Sequence, residues 1–260
     1  MSLLKETIKW GVDHDALWIG MGDLIDTESP SNRDALRRSG VYDSVVDALD
    51  GAAEELEDEL KELLKPTIGR WIGLLEGHHY HDYRDGTTTD TRMAQYLQTT
   101  FLGTCAYARL EFIPPSAVAG RTSNGRVSFD IWAHHGRGGG GLVGSPLNKL
   151  EAVTKGFQAD AYLMGHTHKV AHAKMQQVIP VWGTKRGFLR HKDMHLVSTG
   201  SFLKGYVPQA RREGRAGGLY PERNMLNPLA LGAARIWFRP TWKKDLSKSG
   251  YPAVDITVES

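Results

Sequence analysis

The sequence of 260 residues holds a single cysteine, Cys105, so no disulfide can form within the chain. Such a composition is typical of a reducing compartment, and it predicts a cytoplasmic location. Because a lone cysteine usually behaves as a small apolar residue, we expect Cys105 to lie in the core. Long apolar runs are also lacking, since none reaches the roughly 18–20 residues of a membrane-spanning helix. Residues 1–6 show no basic leader before an apolar stretch, so no secretory signal is predicted.

Acidic residues are scarce in the second half of the chain. Residues 121–260 hold 9 Asp+Glu against 21 Lys+Arg, whereas residues 1–120 hold 21 Asp+Glu against 11 Lys+Arg. This imbalance points to an anionic partner for the basic half, although a solvated surface is the alternative interpretation. The basic residues form two clusters: Lys185, Arg186, Arg190 and Lys192, and then Lys204, Arg211, Arg212 and Arg215.

Short apolar runs alternate with helical patterns, which predicts a single layered α/β domain over residues 1–260. The predicted helices cover residues 3–12, 45–64, 91–101 and 146–157. The predicted strands cover residues 16–21, 71–75, 127–133, 161–164, 178–182, 196–201, 234–238 and 254–258. Polar residues 29–43 are predicted to form a surface loop, and the basic, glycine-rich residues 209–218 a mobile loop.

Four of the apolar runs end in Asp or His beside glycine. The carboxyl ends of strands in an open α/β sheet are where ligands bind, so we expect these side chains at one rim. Glycine lets the backbone turn sharply there. One such histidine is usually an ordinary surface or core residue, but several strand ends of this kind together predict a metal site. The residues are Asp23, His78, His79, His134, His135, His166 and His168.

The donor set of Asp and His without cysteine suits Mn²⁺, Fe, Zn²⁺ or Ni²⁺ better than Ca²⁺ or Mg²⁺. A carboxylate such as Asp23 can bridge two ions. Two ions about 3.5–4 Å apart clamp a phosphoryl group and lower the pKa of a bound water, which yields hydroxide at neutral pH. We therefore predict two divalent metal ions as cofactors.

The motifs at these strand ends resemble those of the calcineurin-like metallophosphoesterase family. They are Gly22-Asp23-Leu24-Ile25-Asp26, Gly77-His78-His79, His135-Gly136 and Gly165-His166-Thr167-His168. The resemblance implies a four-layer α/β/β/α sandwich with a dinuclear metal site at strand ends. It also implies hydrolysis of phosphate esters by metal-bound hydroxide.

The resemblance further implies roles for individual residues. Asp23 would bridge both metals, while His166 would bind the second metal and His168 the first. One of His134 and His135 would bind the second metal too, and the position directly before a glycine favours His135.

Three other residues near these motifs acquire roles from the same resemblance. His79 matches the histidine that contacts the phosphate or protonates the leaving group, and an ordinary histidine pKa of about 6.5 suits that task. The loop that begins with Arg137 and Gly138 would offer a guanidinium or backbone N–H groups to an anionic substrate.

The sequence departs from the family pattern in two places. His78 stands where the family has Asn; we retain it as a ligand and expect a preference for softer ions. The strand ending in Asp-x-His, the first family motif, has no counterpart before Gly22, since Asp13-His14-Asp15 has the wrong spacing and is interpreted as a turn. We therefore expect an N-terminally truncated domain that lacks its first strand and two ligands of the first metal, so that one metal site is incomplete.

The leading hypothesis is a metallophosphoesterase acting on phosphate esters. The basic second half favours a phosphodiesterase or nuclease-like activity on a nucleic acid or nucleotide over a phosphomonoesterase. Trp237, Trp242 and Tyr251 are candidates for base stacking, with an ordinary place in the core or at its rim as the alternative interpretation. One alternative is a non-catalytic or weakly active scaffold subunit that binds a single metal ion. Another is an unrelated mononuclear metal hydrolase.

Overall fold

The computed structural model describes residues 2–113, 126–139, 141–182, 187–212, 215–216, 218–244 and 250–259. The chain divides into two compact units. Unit 1 comprises Met1–Ala106 and His134–Gly138, and unit 2 comprises Tyr107–Ala133 and Gly139–Ser260. Parallel and antiparallel sheets occur together with helices, which confirms the α/β class. Within the described ranges, no helix combines the length and the apolar character needed to cross a bilayer.

Unit 1 is built on a three-stranded parallel sheet in the order β1-β2-β3. Its elements are α1 (Ser2–Asp13), β1 (Trp18–Gly20), α2 (Pro30–Ser39), α3 (Asp43–Leu64), a 3-10 turn (Lys65–Thr67), β2 (Trp71–Leu75), α4 (Thr89–Tyr96), β3 (Phe101–Gly103) and the start of β4 (Cys105–Phe112). Leu74 of β2, Met93 and Leu97 are fully buried at the centre of its core. The strands of a parallel sheet are usually covered on both faces. This explains why β1 and β2 consist of short runs of consecutive apolar residues.

Three expectations for unit 1 are wrong. Residues 29–43 contain the helix α2, because the Ser29 side chain caps the Asn32 N–H, Pro30 occupies the first turn and Gly40 closes the helix in the left-handed conformation. The helix expected at residues 91–101 ends at Tyr96, and β3 follows. Cys105 is exposed rather than buried.

Unit 2 contains a larger sheet with the strand order β11-β8-β6-β5-β4, and β7 pairs with β8. Its further elements are β5 (Val127–His134), α5 (Ser145–Val153), β6 (Ala161–Met164), β7 (Val170–Trp182), β8 (Gly187–Ser201), β9 (Arg211–Arg212), β10 (Arg215–Ala216), α6 (Tyr220–Arg223), β11 (Gly232–Ala233), β12 (Arg235–Lys244) and β13 (Gly250–Glu259). Leu150 of α5 packs on Trp132, Tyr162 and Leu196 of the sheet, which forms the core of this unit.

The basic clusters of the sequence lie in unit 2. The segment expected to be a mobile loop carries two short antiparallel strands, β9 and β10. Lys185 and Arg186 fall outside the described residues, as do the side chains of Arg212, Arg215, Trp242 and Tyr251.

Candidate metal site

Asp23 lies in the loop after β1, close to the loop after β2. Gly22 and Asp23 both adopt positive φ, at 86° and 52°, so the chain turns sharply out of the strand. A side chain at Gly77 would overlap the backbone nitrogen of Asp23, which explains why only glycine fits where the two loops touch. The carboxylate Oδ1 of Asp23 accepts the backbone N–H groups of His78 and His79, the latter at 2.9 Å. Asp23 thereby fixes the loop that carries both histidines.

His135 follows β5 and is 1% exposed. Its Nδ1 lies 2.6 Å from the carbonyl oxygen of Met21, which can only accept, so Nδ1 carries a proton. In the neutral ring this leaves the lone pair on Nε2, which lies 3.2 Å from Oδ2 of Asp23. A carbonyl that fixes the tautomer in this way is the usual support behind a metal-binding imidazole. The His78 ring packs edge-on against His135, with centroids 4.5 Å apart.

The electrostatics of this cluster favour the metal-binding protonation states of Asp23 and His78 but the charged form of His135. Burial disfavours the charge of Asp23, but the hydrogen bond and charge of His135 and the two backbone N–H groups outweigh burial and hold the pKa of Asp23 well below its usual range. Desolvation lowers the pKa of His78, and the charge of His135 lowers it further. Desolvation also opposes the charge of His135, but Asp23 outweighs that effect and raises the pKa of His135. An ionised carboxylate and a neutral imidazole are the forms that bind metal ions.

His79 and Asp26 form a hydrogen-bonded pair beside the cluster. The Nδ1 of His79 donates to Oδ1 of Asp26 at 2.7 Å, and this hydrogen bond is the main reason that the pKa of His79 is raised. The carbonyl oxygen of His79 accepts from the Thr27 hydroxyl at 2.7 Å and from the Thr27 N–H at 3.1 Å. The backbone of His79 is therefore held by the same loop that supplies Asp26.

Arg33 of α2 is a buried arginine, 7% exposed, that sequence reasoning missed. Its Nη1 lies 2.9 Å from the carbonyl oxygens of Glu28 and His78 and 2.8 Å from that of Tyr80. The guanidinium also stacks 3.9 Å from the centroid of the Tyr80 ring. No sequence motif predicts the role of Arg33, because its hydrogen-bond partners are main-chain atoms. Only the capping residues of α2 indicate the helix that carries it.

His81, also missed as a site residue, anchors the far end of the same loop. It is 5% exposed, with Nδ1 2.8 Å from Oε1 of Glu28 and Nε2 2.6 Å from Oδ1 of Asp50. Its backbone pairs with Thr89 at the start of α4. His81 therefore links the loop to α3 and α4.

The remaining predicted residues occupy the ends of β5 and β6. Nδ1 of His134 accepts the N–H of Gly136 at 2.7 Å, and Arg137 and Gly138 follow on an exposed turn. His166 and His168 follow β6, and both have a φ of 58°. The roles assigned to these residues stay predictions.

Two histidines of unit 1, His78 and His135, could hold a metal ion. Imidazole nitrogens suit the transition ions named above, and Asp23 adds a carboxylate beside His135. The donor chemistry of the residues present therefore fits a divalent metal.

Comparison with known proteins adds little to this picture. No protein-family model and no curated protein matches the chain. Among solved structures, the crystal structure of Chaetomium thermophilum Vps29 is similar at 14% sequence identity. The match covers 77% of this chain and 86% of that chain, with a TM-score of 0.29. The chemistry of the side chains therefore carries the functional proposal.

Proposed function

We propose that this chain is a metal-dependent phosphoesterase that cleaves phosphodiesters, with a nuclease-like activity. One observation carries the proposal: metal-ligand candidates and a carboxylate-oriented histidine lie on one pair of loops in unit 1. Asp23 accepts the backbone N–H of His79, while Asp26 accepts the N–H of the His79 ring. Residues that could hold a cation and a residue that could donate a proton are thus fixed to each other.

In this proposal Asp23, His78 and His135 hold a divalent cation, which would supply Lewis acidity towards a phosphoryl oxygen. A second ion, with His166, His168 and His134 as further ligands, belongs to the same proposal, as does the four-layer sandwich. The neutral form of His78 and the ionised form of Asp23 keep both side chains available as ligands.

His79 acts as the proton donor to the leaving oxygen. Its Nδ1 donates to Asp26, so the protonated ring presents its second proton at Nε2. The hydrogen bond to Asp26 raises the pKa of His79, which increases the protonated fraction near neutral pH. His79 is about one-third exposed, so a substrate can reach it.

The preference for a diester follows from charge. Residues 121–260 carry 12 more basic than acidic residues, and polymeric diesters bring several phosphates to such a surface. A small monoester would use only one contact of this kind.

The test compares bis(p-nitrophenyl) phosphate with p-nitrophenyl phosphate, in Mn²⁺ and after treatment with EDTA. We expect faster hydrolysis of the diester and no hydrolysis in EDTA. Because p-nitrophenolate leaves without a proton, the role of His79 is tested with a dinucleotide, whose alkoxide leaving group needs one; there Asp26→Asn should have a roughly 100-fold lower kcat. Metal affinity of Asp26→Asn, measured by calorimetry, should match the parent. The exposed Asp34→Asn is the matched control and should keep full activity. Absence of hydrolysis with Mn²⁺, Fe²⁺, Zn²⁺ and Ni²⁺ alike would refute the proposal.

A second candidate is a scaffold that binds one metal ion without catalysis. It is favoured by the donors within unit 1, because Asp23, His78 and His135 together offer ligands for one ion. Elemental analysis after Mn²⁺ saturation and gel filtration separates the two. One ion per chain without diester hydrolysis supports the scaffold, and two ions with hydrolysis support the enzyme.

A further inference from the structure

We propose that the hairpin formed by β7 and β8 in unit 2 is a binding surface for single-stranded nucleic acid, with Trp182 as its stacking platform. This inference concerns binding by unit 2 and does not rest on the proposed hydrolysis. The two strands pair continuously from Val170↔Thr199 to Trp182↔Gly187, whereas the pairing of β8 with β6 covers only His195 to Ser198.

One face of the outer hairpin is apolar and open. Side chains alternate across a strand, so the register puts Val178, Pro180 and Trp182 of β7 on the same face as Leu189 of β8. Trp182 is 80% exposed, Leu189 54% and Val178 50%. Large apolar side chains in such a row indicate a contact surface.

The indole of Trp182 lies beside Gly187, a glycine on the opposite strand. A Cβ placed on Gly187, its cross-strand partner, would lie 2.8 Å from Cζ3 and 2.9 Å from Cε3 of the indole. The ring therefore lies across the backbone of the opposite strand, and only a residue without a side chain permits this. The six-membered part of the indole thus lies beside Gly187, while most of Trp182 is open to solvent. An accessible aromatic ring is what base stacking requires.

The charge of the segment identifies the partner. Residues 170–192 hold five Lys+Arg and no Asp or Glu. Lys174 and Lys192 reach carboxylates at Asp193 and Asp160, yet the Lys174 side chain stays half exposed. After these two ion pairs, Lys185, Arg186 and Arg190 leave the segment a net positive charge, and the register places Arg190 on the face opposite Trp182. This charge opposes pairing with a second copy of the segment and attracts a polyanion.

Together, the aromatic platform and the positive charge fit a single strand better than a duplex. Stacked bases of a duplex do not offer their faces, whereas single-stranded bases do. Stacking is tolerant of base identity, so we expect little sequence preference.

The test uses the full chain in EDTA, so that hydrolysis cannot interfere, and fluorescein-labelled dT20 and rU20 followed by fluorescence anisotropy. We expect binding of both strands, weakened at least tenfold between 50 and 200 mM NaCl. Trp182→Leu should weaken binding roughly 5- to 100-fold, as removal of one stacking ring does. Trp182→Phe keeps a ring over Gly187 and should lose much less.

The control is Tyr42→Leu, which removes an aromatic side chain that is 83% exposed in unit 1 and should leave binding unchanged. The phenylalanine variant separates loss of stacking from loss of hairpin packing, because it retains the contact with glycine. Equal binding by the parent and Trp182→Leu would overturn the proposal. So would a concentration-dependent dimer in the parent that Trp182→Leu abolishes in sedimentation experiments, since that would assign the apolar face to a second copy.

Discussion

Replacement of Arg33 tests whether the loop after β2 is positioned from α2. The single nitrogen Nη1 contacts the carbonyl oxygens of Glu28, His78 and Tyr80. It carries two hydrogens, so at most two full hydrogen bonds should be counted. Hydrogen bonds from a charged group contribute about 1.5–3 kcal/mol each, which gives an upper value of about 3–6 kcal/mol for the pair. Water that enters a vacated site recovers part of this, so Arg33→Met should lower the free energy of unfolding by about 2–4 kcal/mol.

The Arg33→Met change should also weaken metal binding, in addition to lowering stability. Residues that orient metal ligands from behind typically change metal affinity by 10- to 100-fold when they are replaced. We therefore expect Arg33→Met to weaken Mn²⁺ binding by about that factor, measured by calorimetry at a temperature where the variant is fully folded. Arg33→Lys retains the charge but not the planar fork, so its affinity should lie between those of the parent and Arg33→Met.

The matched control is Arg84→Met. Arg84 pairs with Asp43 and Asp47 on an exposed surface, so its loss should change stability by less than about 1 kcal/mol and leave metal affinity intact. If Arg33→Met binds Mn²⁺ as tightly as the parent, the loop is fixed without Arg33 and the positioning argument fails.

Two further predictions concern the packing behind the cluster. Burial, with the nearby charge of Asp23, raises the pKa of Asp90 to about 6. Because the folded state then binds the proton more tightly than the unfolded state, the contribution of Asp90 to the free energy of unfolding falls by about 2.4 kcal/mol as the pH rises from 4 to 7. The Asp90→Asn variant still offers an acceptor to the Gly77 N–H. Its free energy of unfolding in urea, relative to the parent, should therefore rise by the same amount between pH 4 and 7. A difference that does not change with pH would contradict this prediction. Gly77→Ala should lose about 1–3 kcal/mol and weaken Mn²⁺ binding, because its Cβ meets the backbone of Asp23. Gly51→Ala, in open space within α3, should gain up to about 1 kcal/mol in the same denaturation assay, and equal effects of the two changes would refute the close-approach argument.

The elements that the sequence predicted well are those with a strong apolar pattern. The strands β1, β2, β5 and β6 are short buried runs, and α3 shows a stripe that includes Leu60 and Leu64. By contrast, α2 has almost no apolar face, so only its caps Ser29 and Gly40 identify it. Along β4 the less exposed residues Ala106, Ala108, Leu110 and Phe112 alternate with exposed ones, but two of the four are alanines, so the apolar signal is weak.

The candidate site was predictable as a set of residues but not as a geometry. The strand-end pattern identified Asp23, His78 and His135 because each follows a short apolar run. It could not show that Met21 fixes the tautomer of His135, since a backbone carbonyl leaves no mark in a sequence. For the same reason Arg33 was invisible, as its acceptors are main-chain oxygens up to 47 positions away.

The loop from Gly77 to Tyr83 has little regular structure, so side chains from elsewhere must determine its shape. Asp23 accepts two of its N–H groups, Arg33 donates to two of its carbonyl oxygens, and His81 is held between carboxylates. These anchors come from different elements. They use the backbone of His78 and leave its imidazole ring out. The loop is therefore held by contacts other than those that a metal would make, so in the proposed site its ordering should make no large entropic demand on metal binding. A site arranged this way should keep its ligand geometry when the metal is removed and should select among ions by donor type rather than by folding around them.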